Sequence, residues 1–214
     1  MIFFDIEFYV PPEDRLSSNG SLVYNPANVL HKLIGGTFVA KEIMSHTPSE
    51  PRSFWIWDYE DDEGRLLEAI TEFFIQQWDS DQSEKVVVMK KRIRDLLVCG
   101  FRVDSDLSAL YVRSTLHKIK TPPRLYEIFC KCKSIDLAEV GTMLFNDNPI
   151  FYPVTATDLA EKIGIPAEPK DPGRAIWGWY DEKQYQKIIT RNRQEVMDTL
   201  MIYEGLQQNR TKEK

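Results

Sequence analysis

Two carboxylates, Asp5 and Glu7, interrupt an opening decapeptide that is otherwise Met, Ile, Phe, Tyr and Val, and any fold this chain adopts has to accommodate them. The aromatic and β-branched residues favour a strand over residues 1–10, and Pro11-Pro12 stop it. Residues i and i+2 of a strand share one face, so the two acids project side by side, roughly 7 Å apart at Cα. Phe3, Phe4, Ile6 and Phe8 surround them, which marks the strand as central and buried. A buried carboxylate is costly unless it is paired or bound to a cation. The fold must therefore either place this strand at an edge, with one face in water, or bring positive charge to the acids.

With 214 residues, 43% of them hydrophobic and 28% charged, the chain carries enough apolar side chains for one full core. It reads as a single domain over 1–206 with a polar tail, 207–214, that is expected to fray. No apolar run approaches the ~20 residues of a bilayer span, and the first ten residues, with two acids inside, do not make a signal peptide. Three cysteines cannot pair completely, so a reducing, cytoplasmic setting is expected. The formal net charge of −6 announces no basic nucleic-acid footprint.

Periodicity and punctuation give the remaining elements. Asn25-Pro26 and Gly35-Gly36 bracket a predicted helix over 26–33. Strands are expected over 37–44 and 53–59, the second with two apolar faces. Leu66, Leu67, Ile70, Phe73 and Phe74 fall at helical spacing after Asp61 or Asp62. Residues 86–97 fit strand or helix. A short buried strand follows over 96–101, then a helix over 106–117 closed by Thr121-Pro122-Pro123. Short helices are expected over 124–132 and 157–163, a turn at Asp171-Pro172-Gly173, and the longest helix from Asp181 onward. Strands first and helices interleaved later predict an α/β fold around a mixed β-sheet flanked by helices on both faces.

The order of these pieces resembles the DEDD superfamily of 3′→5′ exonucleases, most closely the bacterial, archaeal and phage group related to the exonuclease domain of family-B DNA polymerases. The resemblance covers nearly the whole chain and implies an RNase H-like fold. Asp5 and Glu7 match the first motif. In the second, Val98 begins the strand end and Asp106-Leu107 take the place of Asp-Leu, although Cys99, Phe101 and Ser105 replace the family's glycine, asparagine and phenylalanine; Asp104 is an alternative to Asp106. In the third, Glu195-Val196 take the place of Asp-Val. Thr190 and Arg191 stand where the family has His or Tyr, so no general base is at that post.

The resemblance implies two Mg²⁺ or Mn²⁺ ions, with catalytic and metal-ligating roles for Asp5, Glu7, Asp106 and Glu195. Hard oxygen ligands suit those ions. Asp5 would bridge the pair, Glu7 and Glu195 would complete the tighter site, and Asp106 would hold the second ion through water; Asp198 is an alternative to Glu195. The implied reaction is metal-dependent hydrolysis of single-stranded DNA or RNA from its 3′ ends. Arg191 could pair with Glu195 across one helical turn, or grip a phosphate. Lys90, Lys91, Arg92 and Arg94 form the densest basic run, a solvated face or a phosphate contact. Trp177 and Trp179 could stack an unpaired base or fill the core. The altered third motif also admits a second class of function, a nuclease-fold protein that binds nucleic acid or a partner protein without cleaving.

Overall fold

The computed structural model describes residues 1–15, 24–42, 47–83, 96–144, 155–166 and 170–212. The opening decapeptide forms β1 (Ile2–Tyr9). It is flanked by β2 (Lys32–Ala40) and β4 (Leu97–Gly100), with β3 (Arg52–Trp55) and β5 (Lys133–Asp136) outside them, in the order β3-β2-β1-β4-β5. β2 runs antiparallel to β1 and β3, whereas β4 and β5 run parallel to β1. The described chain is thus an α/β fold with a five-stranded mixed sheet, and β1 is its central strand.

Seven α-helices cover the sheet among the described residues: α1 (Glu63–Ser83), α2 (Val103–Leu116), α3 (Pro122–Leu125), α4 (Leu137–Leu144), α5 (Ala156–Lys162), α6 (Ala175–Asp181) and α7 (Tyr185–Lys212). β1 divides its side chains between two layers, as a period of two requires. Ile2, Phe4 and Ile6 pack with Leu66, Leu67, Ile70 and Phe74 of α1 and Leu107 and Leu110 of α2. Met1 and Phe3 pack on the other side with Leu137 of α4, Leu159 of α5, and Val196 and Leu200 of α7. No helix among the described residues is long and apolar enough to cross a membrane.

Several elements differ from the sequence reading. Residues 26–31 turn instead of forming a helix, and Gly35-Gly36 lie inside β2. Asn25 Oδ1 accepts from Ala27 N and Asn28 Oδ1 from Leu30 N, each at 2.9 Å. These side-chain turns compete with helix formation. The glycines serve the sheet: β2 bulges opposite Glu7 and Phe8, and a Cβ on Gly36 would stand 2.4 Å from the Asp5 carbonyl oxygen. The strand expected over 53–59 ends at Trp55. Ile56–Tyr59 make a 3-10 turn, closed by left-handed Glu60 and Asp61, and Trp57 stacks between Trp55 and Tyr185.

The expected helix at 106 begins three residues earlier, at Val103. The π-helical turn Tyr126–Cys130 continues α3. β5 and α4 occupy a stretch for which no element was expected. The long C-terminal helix expected from Asp181 is α7, which begins at Tyr185 and runs on to Lys212, into the polar tail; α6 precedes it where no helix was expected, separated from it by left-handed Lys183. Most of the ambiguous segment 86–97 lies outside the described residues.

Candidate metal centre

Asp5 and Glu7 continue the face of β1 that carries Met1 and Phe3, and the helix crossing that face is α7. Where α7 meets Phe3 its stripe is apolar, with Val196 and Leu200. Towards its N-terminus the stripe turns polar, with Arg191, Asn192 and Glu195 opposite the two acids. One carboxylate oxygen from each of Asp5, Glu7 and Glu195 lies within 4.8 Å of the other two, an acidic triad that could hold a metal ion.

Arg191 occupies the rear of this triad. Its Nη1 donates to Glu7 Oε1 at 2.9 Å and Glu195 Oε2 at 2.7 Å, and its Nη2 to Glu195 Oε1 at 3.0 Å. Nε donates to the Asp171 carbonyl at 3.1 Å, which fixes the guanidinium from behind. Asn192, fully buried, donates through Nδ2 to Asp5 Oδ2 at 2.6 Å and to the Asp5 carbonyl at 3.2 Å. Its Oδ1 is buried without a partner among the described residues. Lys170 forms an ion pair with Asp198, whose carboxylate also accepts from Gln194 at 2.6 Å. Asp198 is therefore engaged away from the triad.

The electrostatics follow from burial and crowding. Burial, then Glu195 and Glu7, hold the Asp5 carboxyl well above the usual carboxylate range. Glu7 is pushed up to about 8 by burial and Glu195, against the opposing pull of Arg191 and Asn192. Burial raises Glu195 too, while Arg191 and Lys170 oppose it. Crowding of this kind disfavours the charged forms, and Arg191 opposes it at Glu7 and Glu195.

Asp106 stands on the first turn of α2, after β4 has delivered the chain to the same end of the sheet. Burial, followed by Asp5, Asp136 and Glu195, raises its carboxyl far above the ordinary range. Asp106 and Asp5 share a cleft of about 220 Å³, walled by Phe8, Tyr24, Phe101 and Arg102. The Phe8 and Tyr24 rings stack with centroids 3.7 Å apart. Asp104 is exposed on the outer side of the same turn.

Trp177 and Trp179 lie half-buried on α6. The Trp177 indole N–H donates to the Phe8 carbonyl at 3.1 Å, and the Lys187 ammonium sits over the Trp179 ring. Lys90, Lys91, Arg92 and Arg94 lie outside the described residues. Asn192, Lys170 and Asp136 were not singled out in the sequence. The only signal for Asn192 is a polar residue four positions after Ile188 and four before Val196, on the stripe that must be buried. No protein-family model matches this chain, and no curated protein matches it.

Proposed function

We propose that this protein is a divalent-cation-dependent 3′→5′ exonuclease with an RNase H-like fold, acting on single-stranded DNA or RNA ends. The observation that carries the reading is the convergence of Asp5 and Glu7, from the central strand, with Glu195, from the last helix. The strand order β3-β2-β1-β4-β5, with β2 alone reversed, supports the fold assignment. The acids also stand at the carboxyl end of β1, the edge where open α/β sheets bind ligands.

The donor set is all oxygen and suits Mg²⁺ or Mn²⁺, for which Asp5, Glu7, Glu195 and Asp106 are the candidate ligands. When bound, such an ion supplies Lewis-acid stabilisation and a water of lowered pKa. The chain's own residues do the rest. Asn192 fixes the orientation of the Asp5 carboxylate. Phe8, stacked on Tyr24 in the cleft wall, is the ring on which a terminal base would stack. Arg191 cannot serve as a base, since a guanidinium carries only N–H donors and no acceptor. In the reaction, water oxygen bonds to phosphorus, the 3′-oxygen leaves with a proton, and a nucleoside 5′-monophosphate is released.

One observation favours a second reading. Arg191 occupies three of the four carboxylate oxygens of Glu7 and Glu195, as a chain that binds nucleic acid without cleaving it would arrange. Incubation with 5′-end-labelled single strands and Mn²⁺, beside Asp5→Ala, separates the two. A ladder shortening from the 3′ end and absent in the variant is expected. Tight binding with no cleavage would leave the non-cleaving module.

A further inference from the structure

The triad and the cleft are not the same place. Asp5 and Asp106 face the cleft, whereas Glu7 and Glu195 are not among its walls. Those two glutamates are held from behind by one guanidinium, itself anchored on the Asp171 carbonyl. The Arg191 side chain is only 12% exposed, so it is a built part of the site. A cation placed against the same three oxygens would meet a fixed positive charge at little more than hydrogen-bond distance. Asp106, in contrast, has no hydrogen-bond or ion-pair partner among the described residues.

We propose that this protein binds one divalent cation per chain, between Asp5 and Asp106, and that the Arg191 guanidinium permanently replaces the second ion at Glu7 and Glu195. The proposal rests on the metal-dependent reading above and departs from the two ions implied by the family resemblance. Two further observations favour a ligand beside Asp5. The Asn192 amide, bonded to Asp5, carries a buried oxygen that accepts from no described residue. The cleft of about 220 Å³ also leaves room for a hydrated cation, and Mg²⁺ characteristically binds through one or two carboxylates while keeping several of its waters.

The test is Mn²⁺ stoichiometry, read by electron paramagnetic resonance and calorimetry on the full chain without substrate. Wild type should bind one Mn²⁺, Arg191→Met two, and Asp106→Asn should weaken the single site at least about tenfold. Two ions in wild type overturn the proposal, as does a single ion in a folded Arg191→Met. Should Arg191→Met not fold, wild type and Asp106→Asn decide: one ion lost with Asp106 supports the proposal, and no ion in wild type overturns it. A nuclease assay run in parallel keeps the two readings apart. Wild type that binds two ions and cleaves retains the exonuclease and loses the Arg191 role. Wild type that binds one ion, lost in Asp106→Asn, and never cleaves does the reverse.

Discussion

Glu7 is buried against Glu195, Arg191 and Asn192, and its carboxyl moves from an ordinary value of 4.5 up to about 8. A raised carboxyl means that the folded state holds a proton which the unfolded chain releases. Its stabilising contribution is therefore complete below about pH 4.5 and is lost as pH climbs towards 8. Asp5 and Asp106, both held up mainly by burial, act with the same sign. In EDTA, Tm should fall between pH 5 and pH 8 by about 3 °C or more, since ~1 kcal/mol moves Tm about 2–4 °C in a chain of this size. Asp5→Asn should flatten that fall, because one of the crowded charges never forms. A flat wild-type profile would show that the acids are already ionised in the fold. Mn²⁺ should raise Tm more at pH 8 than at pH 5, because its ligands must first lose their protons. The same Asp5→Asn variant should keep the wild-type far-UV circular dichroism and lose all nuclease activity; retained cleavage would remove Asp5 from the site.

β1 and α7 meet in matched register, apolar against apolar at Phe3 and Val196, polar against polar at Asp5 and Asn192. β2 holds that register from the other side through Gly36, where any Cβ would collide with the Asp5 carbonyl. Gly36→Ala should cost about 1–3 kcal/mol in urea unfolding, the usual cost of overfilling a packed site. It should also weaken Mn²⁺ binding, since the displaced backbone carries Asp5; unchanged stability would mean that β2 yields freely at this point. The strand and its paired acids were legible in the sequence because a period of two and its interruption are local facts. So was α1, whose apolar residues repeat every three or four positions. Gly35-Gly36 misled because glycine marks a helix end and a tight strand pairing alike, and only the tertiary partner distinguishes them. Asn25 and Asn28 misled in the same way, their side chains turning the backbone where the pattern promised helix. Asn192 was legible only as a polar residue on the stripe of α7 that must be buried; its partner, Asp5, lies on a strand nearly the whole chain away, and no spacing within the helix names it.

At the scale of the whole chain, a formal net charge of −6 repels a polyanion at long range, so the single-strand binding proposed above would have to come from local contacts. The acidic triad adds to the repulsion, and Arg191, spent on Glu7 and Glu195, offsets it only at the site. The four cations Lys90, Lys91, Arg92 and Arg94 are the densest positive run in the sequence and the first place to seek phosphate contacts. If all four meet phosphates, log K should fall with log salt at a slope of about −3, from ~0.7 per contact on single strands. Reversing all four to glutamate should bring the slope close to zero and weaken binding across all sequences alike, because phosphates carry no sequence information. Mn²⁺ affinity, held by Asp5 and its neighbours, should stay as it was in the same variant. A filter-binding titration between 50 and 200 mM salt measures the slope. Should it remain unchanged while binding persists, the run is a solvated face and strands are held instead at the cleft, where stacking on Phe8 would be nearly indifferent to salt.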